Sequence, residues 1–326
     1  MNQFTYTRPA TLKAAIDAVA KNKDARFIAG GTNLLDLMKN GVMTPEKLVD
    51  INRLPLRELQ FSNNILHIGA LALNSDVAAH EVVKAKFPLL SQALLAGASQ
   101  QLRNMATVGG NMMQRTRCTY FYDTTMPCNK RKPGSGCGAL GGINRMHAIF
   151  GASDQCIAVH PSDMCVALTA LDATVLVASP KGNRRIPAAD FHRLPGNTPE
   201  KDNNLVKGDL ITGVEIPASP FTSNVYYLKV RDRASYAFAL VSVAAALDIS
   251  NNTIRDIRLV MGGVAAKPWR LAEAEKALIG KAPTEENFRS AANVALQSAK
   301  TYQYNAFKIP LAQNSIVTAL QKAAAI

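Results

Sequence analysis

Residues 25–40, ARFIAGGTNLLDLMKN, pass from an apolar strand through a glycine pair into a helical pattern carried by Leu34, Leu35, Leu37 and Met38. A strand, a Gly-Gly turn and a helix start make an anion cradle, because backbone N–H groups point outward where no side chain blocks approach. Taken alone, the same turn serves equally as an ordinary tight connection. Upstream, FTYTRPATLKAAIDAVA (4–20) reads as a strand, a turn and a helix with Thr11 as its N-cap. Downstream, KLVDINRL (47–54) ends a third strand, so residues 1–55 form a small α/β unit.

A second unit opens with NNILHIGALALNSDVAAH (63–80), a strand that turns into a helix capped by Asn74 or Ser75. LLSQALLAGASQQLRNMATVGGNMMQ (89–114) then carries a helix into Thr107, Val108, Gly109, Gly110 and Asn111. Two glycine-pinched loops facing one another could clamp a dinucleotide pyrophosphate, and the pair is more specific than either loop.

All five cysteines lie between positions 118 and 165. The segment RTRCTYFYDTTMPCNKRKPGSGCGALGGINRMHAIFGASDQC (115–156) puts nine, eight and eighteen residues between Cys118, Cys128, Cys137 and Cys156, with six glycines from Gly134 to Gly151. Such a segment buries little apolar surface, so a bound centre is expected to order it. Three readings compete. Disulfide frameworks belong to small secreted domains. Structural zinc usually shows close ligand pairs such as C-x2-C, and none is present. An iron–sulfur cluster accepts widely spaced thiolates on a wrapping loop. Charge favours the third, because Arg115, Arg117, Lys130, Arg131 and Lys132 stand near the thiols against the single Asp123. Cys165 sits in the apolar run DMCVALTALDATVLV and reads as a buried core thiol.

After this segment, residues 156–191 read as a loop, a helix from about Ser162 and a strand pair joined at PKGN. KGDLITGVEIP and SNVYYLKVRDR add two strands. From Phe238 onward the pattern is an antiparallel sheet backed by helices, two of them at 285–302 and 314–325. The boundary between the two parts is expected near residue 222.

With 326 residues and 48% hydrophobic content, the chain is long enough for two or three domains. No apolar run reaches membrane-spanning length, and the N-terminus carries neither a Sec nor a twin-arginine pattern. Export would therefore need a partner. The net charge of +13 raises nucleic-acid binding, but the basic residues are scattered and aromatics make up only 6%. A docking surface for acidic partner subunits explains the charge as well.

FIAGGTNLLDLMK (27–39), LRNMATVGGN (102–111), HPSDM (160–164), LTALDATV (168–175), GDLITGVEIP (208–217) and MGGVAAKPWR (261–270) together resemble one family across essentially the whole chain. It is the FAD-binding medium subunit of the molybdenum hydroxylases, the xanthine dehydrogenase and carbon monoxide dehydrogenase group. The cysteine loop with NKRKPGSGC, and RDRASYAFALVSVAAAL further on, resemble the flavin subunit of bacterial periplasmic aldehyde oxidoreductases, which carries an extra [4Fe–4S] cluster.

The resemblance implies an α+β chain: a two-part FAD-binding domain at 1–222 (subdomains 1–55 and 56–222, with a [4Fe–4S] loop at 115–158), then a C-terminal domain at 223–326 with an antiparallel sheet and helices. It implies FAD binding by Phe27, Ile28, Ala29, Gly30, Gly31, Thr32, Asn33, Leu34, Thr107, Gly110 and Asn111. Asp163 falls on the ribityl or pyrophosphate side, with Ile211 and Lys229 near the isoalloxazine. A cation there would stabilise the anionic reduced flavin. Cys118, Cys128, Cys137 and Cys156 would ligate the cluster. The implied activity is electron transfer within a heterotrimer that oxidises aldehydes. A large subunit would carry the molybdenum cofactor, a small one [2Fe–2S] centres, and an external acceptor would take the electrons. The implied location is the periplasm by co-export with a signal-bearing partner, and otherwise the cytoplasm. A zinc-stabilised basic interaction protein and a stand-alone flavin reductase are the alternatives from other classes.

Overall fold

The computed structural model describes residues 1–325. Three sheets make up the chain. The first joins β1 (Thr5–Thr7), β2 (Ala25–Ile28) and β3 (Lys47–Asp50) in the order β1-β3-β2, all parallel. A helix at Leu12–Ala20 covers it and is capped by Thr11, whose hydroxyl accepts from Ala14 N at 3.2 Å. Ala15, Ile16 and Val19 recur on one face of this helix and meet Val49 and Ile51, as an amphipathic period requires.

The second sheet contains β4 (Leu59–Ser62), β5 (Ile65–Gly69), β6 (Thr174–Ala178), β7 (Arg184–Pro187) and β8 (Leu210–Pro217). It is antiparallel in the order β4-β5-β8-β6-β7. The PKGN turn joins β6 to β7, and Ser162 caps the helix Asp163–Ala170, both as expected from sequence.

The third sheet contains β9 (Val225–Val230), β10 (Val241–Ser250), β11 (Thr253–Gly262) and β12 (Trp269–Arg270), antiparallel in the order β12-β11-β10-β9. Successive side chains of a strand point to opposite faces. On β10, Val243, Ala245 and Leu247 pack against the C-terminal helices, while Ala244 and Ala246 join the core of the preceding part. This sheet is therefore buried on both sides, and helices Pro88–Ala96 and Asp163–Ala170 lie against its inner face. The small side chains of β10 permit that close approach.

Several local expectations are corrected. The helix after β5 begins at Asn74 with Leu73 as N-cap and no side-chain cap. Asn74 N is instead tied to Ala106 O at 2.9 Å, and Leu73 pairs with Thr107, so contact between the turn after β5 and the second glycine loop sets the helix start. The helix expected at 285–302 spans Glu285–Leu296, after which Lys300 N turns back to Ile149 O at 2.8 Å. The helix expected at 314–325 spans Lys308–Ala324. Pro310 is no obstacle there, because the first helical turn has no internal acceptor for its missing N–H.

The cysteine segment is better anchored than its composition implies. Phe121 is fully buried and packs with Leu37, Val42 and Cys128. The far limb of the segment is held by the C-terminal part. Lys308, fully buried, donates to the carbonyls of Met146 (3.2 Å), His147 (2.9 Å) and Gly263 (2.7 Å). Asn305 Nδ2 donates to Ala148 O at 3.2 Å, and Tyr304 N donates to Asn144 Oδ1 at 3.0 Å. No helix among the described residues is long and apolar enough to cross a membrane.

Candidate functional site

The two glycine loops meet. A Cβ placed on Gly30 would collide with the carbonyl of Met105, so the first loop can lie against the second only without a side chain there. Gly31 follows with a φ of +73°, in the left-handed region that glycine occupies without strain. Asn33 precedes the helix Leu34–Lys39 but does not cap it; its Oδ1 accepts from Arg115 N at 3.0 Å, bridging to the second loop. In the second loop, Thr107 caps Val108–Met112 by accepting from Gly110 N at 3.2 Å.

Beside this junction lies a cavity of about 930 Å³. Of the residues implied for the flavin, Thr32, Gly110, Asn111, Asp163 and Lys229 line it. Ala29, Gly30, Gly31, Asn33 and Leu34 build the turn behind Thr32, and Thr107 is buried as the cap. Phe27 and Ile28 belong to β2, where Phe27 packs on the core of the first unit. Ile211 is buried in β8 within the main core and is not among the cavity-lining residues.

Asp163 and Lys229 come together across the two parts of the chain. Tyr227 and Lys229 stand on the same face of β9, opposite Ala244 and Ser242, and turn toward the N-terminus of the helix Asp163–Ala170. Lys229 Nζ lies 2.7 Å from Asp163 Oδ2 and donates to Ala96 O at 3.1 Å. Tyr227 donates its hydroxyl proton to Asp163 Oδ1 at 2.8 Å. Burial, then the adjacent carboxylate, raises the Tyr227 phenol well above its ordinary value and keeps it a donor. Ser162 donates to Asn111 Oδ1 at 2.6 Å and so fixes this corner to the second loop. Lys229, expected as a cation near the isoalloxazine, lines the cavity as half of a buried ion pair. Asp163→Asn should leave the Lys229 charge unpartnered, which lowers stability by about 3 kcal/mol for a buried pair broken on one side. Denaturant unfolding of the variant checks this. A loss below about 1 kcal/mol would mean the pair behaves as a solvent-screened one.

Orphaned polar atoms test whether the cavity suits a large polar cofactor. Asn74 lines the cavity with its Oδ1 buried and without a hydrogen-bond partner, as is Asn33 Nδ2 in the turn behind Thr32, whereas buried polar groups are ordinarily satisfied. Arg103 and Arg233 also line the cavity, and among the described residues their side chains hydrogen-bond only to backbone carbonyls. A dinucleotide supplies hydroxyl or N–H donors for Asn74 Oδ1 and acceptors and negative charge for the two arginines, so the polar lining fits FAD. Asn74, Arg103 and Arg233 were not identified from sequence. Only the loop-to-loop folding that brings Asn74 beside Ala106 distinguishes it from a helix cap.

Cys118, Cys128, Cys137 and Cys156 line one small cavity, with Cys128 and Cys137 paired through their backbones. All five cysteines are free thiols. A tetrahedral zinc site with Zn–S near 2.3 Å holds its sulfurs roughly 3.8 Å apart. Among the described residues no three of these four sulfurs lie within 4.8 Å of one another. The four sulfurs therefore stand wider apart than a single tetrahedral zinc requires. Burial pushes the Cys118 thiol up to about 12. Cys118 also lines the large cavity and so forms part of the wall between the two.

The basic residues around the cage are mostly compensated, contrary to expectation. Arg115 and Lys130 both reach Asp202, at 2.7 and 2.6 Å. Burial pushes Asp202 up, yet these two cations hold it below the usual carboxylate range. Arg117 lies 3.3 Å from Asp36, and Arg131 donates to the carbonyls of Tyr120, Phe121 and Met126. The compensating carboxylates are remote in sequence, so the local count missed them.

Residues 2–219 match the family described as the FAD binding domain in molybdopterin dehydrogenase, and residues 226–323 match the CO dehydrogenase flavoprotein C-terminal domain. The aldehyde oxidoreductase FAD-binding subunit PaoB of Escherichia coli (strain K12) is 48% identical over all of this chain and 99% of its own length. The glyceraldehyde dehydrogenase medium chain of Sulfolobus acidocaldarius is 35% identical over 86% of this chain and 82% of its own. Among solved structures, a chain of the carbon monoxide dehydrogenase of Hydrogenophaga pseudoflava superposes with a TM-score of 0.78 at 26% identity, covering 99% of this chain and 98% of the other.

Proposed function

Because the chain belongs to the FAD-binding medium subunits of the molybdenum hydroxylase family, we propose that it is the electron-transferring flavin subunit of an aldehyde-oxidising heterotrimer. The observation that carries the reading is the shared wall: Cys118 borders both the cavity whose donors fit FAD and the cage of four thiols. Support for the substrate class comes from the two relatives named for aldehyde and glyceraldehyde oxidation. Partners of the reading are a large molybdenum-cofactor subunit, a small [2Fe–2S] subunit and an external acceptor. Its domains divide at residue 222, inside the gap between the two family matches.

When bound, FAD supplies a two-electron store, and a [4Fe–4S] cluster on Cys118, Cys128, Cys137 and Cys156 supplies a one-electron centre. The chain's own residues do the rest. Gly110 would leave room for a pyrophosphate and Gly30 lets the first loop lie against the second, while Asn33 and Thr32 stand at the helix start. Asp163, held by Tyr227 and Lys229, offers fixed carboxylate oxygens to hydroxyl donors of the cofactor. Arg103 and Arg233 offset phosphate charge.

The test is the visible spectrum of anaerobically purified protein before and after dithionite, with flavin, iron and zinc assayed on one sample. About one FAD and four irons per chain, with flavin bands over a broad shoulder bleached by reductant, are expected. A flavoprotein without iron would remove the cluster and keep the flavin subunit. A colourless zinc protein would sink both.

A further inference from the structure

His160, Cys165 and His192 each place one ring nitrogen or sulfur so that the three atoms lie within 4.8 Å of one another, all three residues buried. They come from separate places: the approach to the helix Asp163–Ala170, its first turn, and the residue after the helix Ala188–Phe191. Cys165 is the thiol that the four-cysteine cage does not use, and neither it nor His192 lines the flavin cavity.

Two features single this cluster out from ordinary core packing. His160 Nε2 and His192 Nδ1 are both buried with no hydrogen-bond partner, in a region where every such atom is expected to have one. The rings lie 4.0 Å apart at an angle of 43°, so they converge rather than avoid one another. His192 Nε2 is engaged by the Met112 carbonyl at 2.9 Å. That bond makes Nε2 the protonated nitrogen and leaves a lone pair on Nδ1. A backbone carbonyl orienting the far nitrogen in this way is the usual support of a ligating imidazole. Burial also drives both imidazoles toward the neutral, lone-pair-bearing form, His192 to about 4.

We propose that His160, Cys165 and His192 form a mononuclear site for one thiophilic d10 cation, Zn²⁺ or Cu⁺. Two imidazoles and a thiolate select soft or borderline ions and offer no oxygen to calcium or magnesium. Binding exchanges one proton for the metal: the Cys165 S–H bond breaks, an S–metal bond forms, and the proton leaves to solvent. With Cu⁺ the site is electrically neutral, and with Zn²⁺ it keeps one positive charge. Three protein ligands leave a fourth position open, the pattern of a site that exchanges a ligand rather than a closed structural one.

The complex, purified anaerobically and desalted, is assayed for zinc, copper, iron and flavin, and a second portion is titrated with Co²⁺, whose thiolate charge-transfer absorption reports cysteine ligation. About one zinc or copper per chain is expected, or uptake of about one Co²⁺ with that absorption. Both should be lost in Cys165→Ala and in His192→Gln while flavin and any iron stay as in the parent. Zinc without copper identifies the divalent occupant; copper that is silent in electron paramagnetic resonance until oxidised identifies Cu⁺. A parent protein that carries neither metal and develops no thiolate–cobalt absorption overturns the site, as does a variant that retains the metal. Should either variant fail to accumulate, the cobalt titration of the parent decides alone. Iron and flavin are measured separately, so failure here leaves the proposed electron-transfer role standing.

Discussion

Gly110→Trp should yield a folded chain purified without flavin. Gly110 faces the cavity at the edge of the five-residue helix Val108–Met112, and its backbone is not in the left-handed region. A Cβ there meets only Thr107 Oγ1, at 2.9 Å, a hydroxyl able to give by a few tenths of an ångström. The helix therefore accepts a side chain, and the remaining indole has nowhere to go but the space that a pyrophosphate would fill. Weakening of FAD binding by 100-fold or more is expected, about 3 kcal/mol, with far-ultraviolet circular dichroism unchanged. Flavin retained in stoichiometric amount would take the second glycine loop out of the site. The equivalent change at Gly30 is a poorer probe, because its Cβ meets backbone and would push the two loops apart.

The second large effect is on iron. On the proposed cluster assignment, Cys128→Ser should remove about four irons per chain together with the broad absorption near 400 nm, because an alkoxide is a poor substitute for a cluster thiolate. Flavin should remain, since Cys128 does not line the large cavity. The fold around Cys128 has other support: its N–H donates to Ser135 Oγ at 3.0 Å, and Phe121, Leu37 and Val42 pack beside it. Loss of iron would therefore report loss of a ligand rather than collapse of the segment. Unchanged iron content would exclude Cys128 from the cage.

Sequence made the local devices legible and left the long-range ones hidden. Thr11 and Ser162 mark helix starts that a local reading finds, because a capping hydroxyl needs only the backbone three residues ahead. The pairing of the two glycine loops was likewise visible, as both carry the same punctuation. What sequence could not show depends on closure between remote segments. The pairing of Lys229 is hidden until β9 folds over the helix that presents Asp163. The basic run near the cysteines reads as uncompensated until Asp36 and Asp202 arrive. Asn74 reads as a cap until its backbone is taken by Ala106. Cys165 was legible as a buried thiol, but the His160–His192 pair beside it joins positions 32 residues apart with no spacing motif to mark them.

The bonds from Asn305 and Lys308 to residues 146–148 set a clock on biosynthesis. Tyr304 engages Asn144 across 160 positions, so the limb between Cys137 and Cys156 cannot lock until that much more chain has left the ribosome. At roughly 5–20 residues per second this is a delay of about 10 to 30 s. During that interval the four thiols have been made but their enclosure has not closed. If the proposed cluster is inserted at these thiols, loading is expected to be easiest during that interval, and a chain that completes its C-terminal helix empty would have to reopen to be filled.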